Sequence, residues 1–389
     1  MVVGVLAALA GLVKVRYSYT AVDSQVFRLH YRWTTAICFI CCALVVAKEY
    51  VGDPIECING DPTYIKQITS YCWISSTYTI NSTDDHMPFV GPYRKDLHEK
   101  RYHSYYLWVP VVLFIQGCIF YFPHLIWKSY EGKQLDLLLQ DLNKGLFDED
   151  AEKKKKNIVS YLKESWGLNT HYVSVYYICE ALNLCSVVAQ MLIMNKFLGG
   201  LFMDYGIKVL SLINANDAER HDPLITTFPR LTKCDFMRYG PTGTVVTEDI
   251  LCILPQNIVN EKIFLVMWIW FVFLTTVTSA WLLWRAVVLL NPSVRLRILE
   301  HLSKSKLTQK MKNTILSLHL GDYCLLESMG HNLDILNFTD ILRGITDSVE
   351  EYSPLAPMET GTYKPFYTPN ALTDTIPRYR NLGFADTSL

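Results

Sequence analysis

The sequence predicts an all-α integral membrane protein with four transmembrane helices, and three observations lead to this fold class. Half of the 389 residues are hydrophobic and only 19% are charged, whereas about a quarter are charged in typical soluble domains. The apolar residues are concentrated in four blocks, each long enough to cross a bilayer, which takes about 20 helical residues. Two polar segments between these blocks each carry a pair of cysteines, which indicates disulfide-stabilised loops in an oxidising compartment.

The apolar blocks predict spans at residues 31–50, 105–127, 172–202 and 263–284. The fourth block contains no charge, and the second has aromatic residues at both ends, as membrane interfaces favour. Pro123 lies inside the second block and is expected to bend its helix, because proline removes a backbone donor.

The third block is the most polar, because it contains Glu180, Asn183 and Gln190. These residues fall close to one face of a helix. Polar side chains within a span usually face other helices or water. Hydrogen bonding between helices is the plainer interpretation, and Glu180 is also a candidate for lining a pore.

The distribution of charge predicts the orientation of the chain. The two cysteine-bearing segments, 51–104 and 203–262, contain five and six Lys and Arg and more acids than that, whereas the first 32 residues carry Lys14, Arg16, Arg28 and Arg32 against a single acid. Cytoplasmic segments are enriched in Lys and Arg. Both termini are therefore predicted to be cytoplasmic and the two cysteine-bearing segments extracellular.

The remaining segments follow from this orientation. Residues 128–171 form a cytoplasmic loop, and residues 285–350 form a cytoplasmic region with helical periodicity. Residues 351–389 contain several prolines and no long apolar run, which predicts disorder. Asn81 begins an Asn-Ser-Thr glycosylation pattern in the first extracellular loop.

The first 30 residues are predicted to remain part of the protein as a cytoplasmic segment. The stretch Met1–Val13 is apolar, like the core of a signal peptide, but no basic segment precedes it. We expect it to form a short retained helix.

The four loop cysteines, Cys57, Cys72, Cys234 and Cys252, allow three connectivities. Their distances from the ends of the spans place Cys57 and Cys252 near the membrane and the other two farther out. Pairing cysteines at similar distances from the membrane favours the nested pairs Cys57–Cys252 and Cys72–Cys234. These pairs would bind the loops to each other. Bridges within each loop remain the alternative.

Several motifs in order carry a resemblance to a known family. They are Gly52–Cys57, Tyr71–Ile74, the run Tyr105-Tyr106-Leu107-Trp108-Val109, Phe228–Cys234, Tyr239–Pro241 and Asn257–Ile263. With the four-span topology, they resemble the innexins, the gap-junction proteins of invertebrates, and are closest to arthropod members. The resemblance covers almost the whole chain, although Leu107 stands where the family has glutamine.

The resemblance implies a four-helix subunit with an extracellular cap of small strands and helices and a helical cytoplasmic dome. The family's nested disulfides agree with the pairing that loop height favours. Subunits would ring a pore as octamers, alone or with other innexins, and dock with a ring in the adjacent cell's plasma membrane. The family's N-terminal helix enters the pore, which makes Met1, Val2 and Val3 candidates for lining it.

The implied function is an intercellular channel for ions and small hydrophilic solutes. The sequence contains neither a phosphate-binding glycine loop nor a nucleophile motif, so it does not indicate an enzyme. No cofactor or metal is expected. The net charge of -1 gives no reason to expect a nucleic-acid partner, whereas membrane lipid is an expected partner. The alternatives are an undocked, pannexin-like channel, which a sugar on Asn81 would favour, and a non-conducting adhesion or scaffold protein.

Overall fold

The computed structural model of the chain describes residues 20–58, 64–80, 90–91, 99–139, 142, 149–212, 223–305 and 307–351. The described part is mainly helical and contains one small antiparallel sheet. This confirms the predicted fold class.

Four helices are long and apolar enough to cross a membrane: span 1 is Gln25–Val51, span 2 is Tyr105–Glu131, span 3 is Thr170–Phe197 and span 4 is Pro255–Leu290. Span 4 has 36 residues and extends beyond both ends of its apolar block. Span 3 ends before residue 202, because Gly199 and Gly200 adopt φ values of +67° and +86°, which favour glycine and end a helix.

Span 1 contains an irregular helical turn whose side chains hydrogen-bond to span 4. Residues Leu29–Thr34 of span 1 are wound as a π-helix, a conformation found frequently at functional sites. Thr34 accepts a hydrogen bond from Trp270 Nε1 of span 4 at 2.9 Å. His30 Nε2 lies 2.8 Å from Thr278 Oγ1, also of span 4.

Spans 1 and 2 pack closely around Gly117. A Cβ atom at Gly117 would lie 2.7 Å from the Phe39 ring, and Thr35 donates a hydrogen bond to the Gly117 carbonyl at 3.3 Å. Small residues permit this approach between membrane helices. Pro123 is buried, and span 2 continues through it to Glu131.

The cap lies where spans 1 and 3 end and spans 2 and 4 begin. It comprises β1 (Glu56–Ile58), helix α1 (Ile65–Ser75), β2 (Thr77–Ile80), β3 (Lys100–His103), β4 (Leu231–Tyr239) and β5 (Val245–Ile253). The strand order is β1-β5-β4-β2-β3, and each described pair is antiparallel. Strands from both cysteine-bearing segments therefore share one sheet.

The dome lies at the opposite ends of the spans. It comprises α2 (Gln134–Leu139) and α3 (Glu149–Glu164) between spans 2 and 3, and then α4 (Pro292–Ser303), α5 (Gln309–Ser317), α6 (Leu320–Asn332) and α7 (Ile335–Glu351) after span 4. Leu139, Leu162, Leu299 and Phe338 belong to one buried apolar cluster. Residues before span 3 and after span 4 thus form one core.

Candidate functional site

Two disulfides join the two cysteine-bearing segments within the cap. Cys57 of β1 is bonded to Cys252 of β5, and the two residues face each other in the sheet register. Cys72 of α1 is bonded to Cys234 of β4. The nested pairing is therefore confirmed, and bridges within single loops are excluded.

The two disulfides are close neighbours in the centre of the cap. Sulfur atoms of Cys57, Cys72 and Cys252 lie within 4.8 Å of one another, and all four bonded cysteines are buried. Because metals bind the thiolate form of cysteine, these oxidised sulfurs do not form a metal site. They join the sheet and α1 to each other instead.

The Tyr-Tyr-Leu-Trp-Val motif connects the cap to span 2. The Tyr106 ring is buried and stacks on Trp73 with ring centroids 4.7 Å apart. Tyr105 packs edge-on against Phe228, with centroids 5.8 Å apart. Val109 is buried in the span bundle.

The remaining motif residue, Trp108, points outward with 58% of its surface exposed. It lies at the start of span 2. This is a position where membrane interfaces favour tryptophan.

An ion pair between the half-exposed Arg230 and a buried carboxylate fixes the start of β4 to span 4. The Glu261 side chain is fully buried, and Arg230 Nη2 lies 3.0 Å from both of its carboxylate oxygens. Asn257 Nδ2 donates to the Pro229 carbonyl at 2.8 Å. The Lys262 amino group lies 2.9 Å from Glu261 Oε1, so the buried carboxylate has two cationic partners. The sequence shows these residues in two motifs but does not show that the motifs meet.

A second polar cluster joins three strands of the sheet. Tyr78 of β2 donates a hydrogen bond to Asp235 of β4 at 2.7 Å. Lys100 of β3 donates to the other carboxylate oxygen at 2.6 Å and lies 4.0 Å from the Tyr78 ring centroid. Burial, followed by the hydrogen bond to Asp235, raises the pKa of Tyr78. Tyr78 therefore remains a neutral donor at physiological pH.

His103 is a buried titratable group of the cap. Its side chain is buried, and Nε2 lies 2.8 Å from Thr79 Oγ1. Burial, with a smaller effect from the positive charge of Arg101, lowers the pKa of His103 to about 4. The folded cap therefore holds this imidazole uncharged at neutral pH.

The β4–β5 hairpin carries exposed apolar side chains near its tip. Met237, Tyr239, Val245 and Val246 are all exposed, and Tyr239 is 80% accessible. The strands pair up to Tyr239 and Val245. Grouped apolar residues on a rigid surface are typical of protein contact sites.

Glu180 lies near the dome end of the span bundle and is 3% exposed. Its Oε1 accepts hydrogen bonds from Ser24 Oγ at 3.1 Å and Trp281 Nε1 at 3.0 Å. Its Oε2 lies 3.7 Å from Arg285 Nε. The geometry favours hydrogen bonding between helices over pore lining for Glu180.

The remaining candidate residues are either buried in span 3 or lie outside the described residues. Asn183 and Gln190 are buried like Glu180. Met1, Val2, Val3 and Asn81 lie outside the described residues.

Comparison with known proteins gives consistent matches along the chain. Residues 23–349 match the family model described as Innexin. Innexin inx3 of Drosophila melanogaster is 39% identical over 356 residues, covering 88% of this chain and 89% of the relative. Innexin shaking-B of Drosophila melanogaster is 36% identical, covering 88% and 94%, and Innexin inx2 of Schistocerca americana is 36% identical, covering 89% and 98%. The chain therefore belongs to the innexin family, whose members are gap-junction channel proteins.

Proposed function

We propose that this chain is a subunit of an intercellular channel that passes ions and small hydrophilic solutes and docks through its cap. The observation that carries the proposal is the cross-linked cap, in which two loops of an innexin form one sheet through Cys57–Cys252 and Cys72–Cys234. Such a cap can keep its shape when it meets another surface. The proposal includes no catalytic step.

The proposed orientation places the cap outside the plasma membrane and the dome and both termini in the cytoplasm. Disulfides persist in oxidising compartments, which supports an extracellular cap. Cys324 in the dome is buried as a free thiol, which suits the reducing cytoplasm. The segments on the dome side carry more Lys and Arg, eight in residues 128–171 and eleven after residue 284, than the five and six of the cap segments, which also favours this orientation.

A ring of subunits, which we propose is an octamer of this chain alone or with other innexins, would enclose the pore. Within one subunit, only 28% to 39% of the residues in the most apolar window of each span are buried. The rest of each span surface is available for lipid and for neighbouring subunits. The N-terminal segment, with Met1, Val2 and Val3, would line the pore inside this ring.

An undocked channel that releases solutes to the exterior is the second candidate, because Asn81 begins a glycosylation pattern in the same extracellular loop as Cys72. A sugar on that loop would obstruct contact between two caps. The exposed tip of the β4–β5 hairpin favours docking instead. An adhesion or scaffold role without conduction has weaker support, because the matched relatives are innexins.

Dual whole-cell recording from paired cells tests the proposal. Cells expressing this chain, alone and with candidate innexin partners, should show junctional conductance. Dye release from single cells without junctional conductance in any combination would contradict docking and support the undocked channel. Asn81→Gln is the matched variant: it should restore coupling if a glycan blocks docking, and a glycosidase gel shift would show whether the glycan is present.

A further inference from the structure

A cavity lies where the membrane bundle meets the dome. It has a volume of about 340 Å³, within the range of about 300–1,000 Å³ that is usual for small-molecule sites. All four spans and the dome helix α6 line it, through residues that include Arg28, Trp127, Tyr176, Arg285 and Glu327. Because elements that are distant in the sequence form its wall, the cavity exists only in the folded chain. It lies within one subunit, whereas the proposed pore lies between subunits.

Aromatic side chains form much of the cavity wall. They are Trp127, Tyr172, Tyr176, Tyr177 and Trp281. The Trp127 ring centroid lies 5.2 Å from that of Tyr172 and 4.8 Å from that of Tyr176, so these rings hold one another in position. Aromatic rings attract further rings in offset or edge-on geometry. The wall therefore favours a ligand that contains a flat apolar ring.

Arg285 brings hydrogen-bond donors to the cavity that its described partners do not use. Its side chain is mostly buried, and Nη1 donates to Glu327 of α6 at 3.3 Å. Its Nε lies 3.7 Å from Glu180 Oε2, too far for a hydrogen bond, and has no other acceptor among the described residues. A guanidinium carries five N–H donors, and the described bonds involve Nη1 alone. Because buried polar groups usually have partners, Arg285 is suited to bind a further acceptor.

Arg28 adds a second cation to the wall, and no described acid pairs with it. Arg28 lines the cavity and makes no ion pair or side-chain hydrogen bond with the residues that the structure describes. The acids of the wall, in contrast, already have donors: Asp23 accepts a hydrogen bond from Tyr31 at 3.0 Å, and Glu327 accepts one from Arg285. The cavity therefore offers unused cationic donors and suits an anionic group better than a cationic one.

We propose that this cavity, in which Arg28 and Arg285 adjoin a wall of aromatic rings, is a binding site for a small aromatic carboxylate. The carboxylate accepts hydrogen bonds from the two arginines, because a planar guanidinium can bind such a group through two parallel bonds. The ring of the ligand packs against Trp127 and Trp281. A bound ligand contacts all four spans and α6, so it stabilises the junction between the bundle and the dome. The inference concerns binding alone and does not depend on conduction.

Titration of the purified full-length protein with naphthylacetate tests the inference, because this probe combines a carboxylate with a flat ring. Calorimetry should show saturable binding, and the probe should raise the midpoint of thermal unfolding. Naphthylacetamide has a similar shape but no charge, so it should bind about tenfold more weakly. The amide also controls for partition of the ring into detergent. Absence of saturable binding of naphthylacetate, equal affinity for the amide, or tighter binding of the cation naphthylethylamine would overturn the inference.

Arg28→Gln locates the site, because glutamine removes the charge and keeps a polar side chain. This variant should bind naphthylacetate about tenfold more weakly than the wild type. Arg32→Gln is the matched control, since Arg32 lies one turn farther along span 1 and is not among the described residues that line the cavity. Its affinity should equal that of the wild type. Equal affinities of the two variants would contradict the assignment of the site.

Photolabelling of the wild-type protein keeps the inference testable if Arg28→Gln does not fold. A diazirine derivative of naphthylacetate loses nitrogen in light, and the resulting carbene inserts into a neighbouring bond. Mass spectrometry should place the label on cavity residues such as Tyr176 or Trp281, and excess naphthylacetate should prevent labelling. Label that lies only outside the cavity, or that persists in the presence of excess naphthylacetate, would overturn the inference.

Discussion

The cap and the dome are both assembled from stretches of chain that lie far apart in the sequence, but different forces hold them together. In the cap, disulfides join residues that are 195 and 162 positions apart. In the dome, a larger apolar cluster that includes Phe338 and Leu299 does this work. The described cysteine of the dome, Cys324, is free.

The difference agrees with the sizes of the two buried clusters and with the orientation proposed above. The buried cluster of the cap is small, and its four cysteines are among its members. Small domains bury too little apolar surface to be stable alone and commonly need covalent links. The dome has a core large enough to fold by packing, which suits the cytoplasmic location proposed for it. Variants of the cap and of the dome should separate stability that comes from disulfides from stability that comes from apolar packing.

Removing one disulfide should have the largest effect. Cys72→Ser together with Cys234→Ser should destabilise the cap by up to about 5 kcal/mol and abolish junctional conductance, while the dome keeps its hydrogen-exchange protection. Cys118→Ser, at an exposed free cysteine of span 2, is the control and should couple normally. Normal conductance of the double variant would show that this bridge is dispensable for docking.

Truncating a core side chain of the dome should reduce the free energy of unfolding by a similar amount, but it should destabilise the dome and not the cap. Phe338 is fully buried, so Phe338→Ala should destabilise the dome by about 3–4 kcal/mol. Hydrogen–deuterium exchange should increase in α4 to α7 and remain unchanged in β4 and β5. Leu336→Ala, at an exposed position, is the control. Equal loss of protection in the cap would mean that the two regions unfold together.

Breaking the ion pair between β4 and span 4 should weaken the cap without touching its disulfides. Arg230→Ala removes hydrogen bonds to the buried Glu261 carboxylate but leaves it with Lys262, whose amino group lies 2.9 Å away, and should cost about 2–3 kcal/mol. Arg238→Ala, which removes a more exposed pair with Glu248, should cost less than about 1 kcal/mol. Exchange rates of β4 in the two variants provide the comparison, and similar rates would contradict a structural role for Glu261.

Acid should produce the smallest effect and should act on the cap through His103. The folded-state pKa of about 4 lies below the ordinary value of 6.5, so the unfolded cap binds a proton first as pH falls. The free energy of unfolding of the cap is therefore highest above about pH 6.5. It decreases as the pH falls towards 4, and the loss is about 2 kcal/mol at about pH 5.

His103→Gln tests this effect because glutamine can bond to Thr79 but does not titrate. Protection factors of β2 and β3, corrected for the intrinsic pH dependence of exchange, should fall with acid in the wild type and change less in the variant. Arg101 and the Tyr105 ring also face His103, and neither changes its charge between about pH 5 and 7. Identical acid responses in both proteins would exclude His103 as the cause.

The sequence was sufficient for features that depend on local pattern. Apolar length located four spans, and the distances of Cys57, Cys72, Cys234 and Cys252 from the spans favoured the observed pairing. The sequence predicts a loop at the polar start of span 4, because Gln256, Asn257, Asn260 and Glu261 lower its hydropathy. In the structure these four side chains are buried in a continuous helix.

Other features depend on partners that are distant in the chain. Periodicity identified Glu180 as a buried polar residue, but only the fold brings Arg285, Trp281 and Ser24 to it. The hydrogen bonds between Asn332 and the Ala21 backbone join residues 311 positions apart. A short polar side chain at the end of a helix carries no local signal of such a partner.

Peptide mapping of surface-labelled protein under non-reducing conditions tests the central claim about the cap most directly. Trypsin places Cys57, Cys72, Cys234 and Cys252 on four separate peptides, because Lys66, Lys233 and Arg238 lie between them together with further basic residues. We expect linked peptides for Cys57 with Cys252 and for Cys72 with Cys234. Linkage of Cys57 to Cys72 and of Cys234 to Cys252, or free thiols at these positions, would contradict a cap held together by bonds between its two loops.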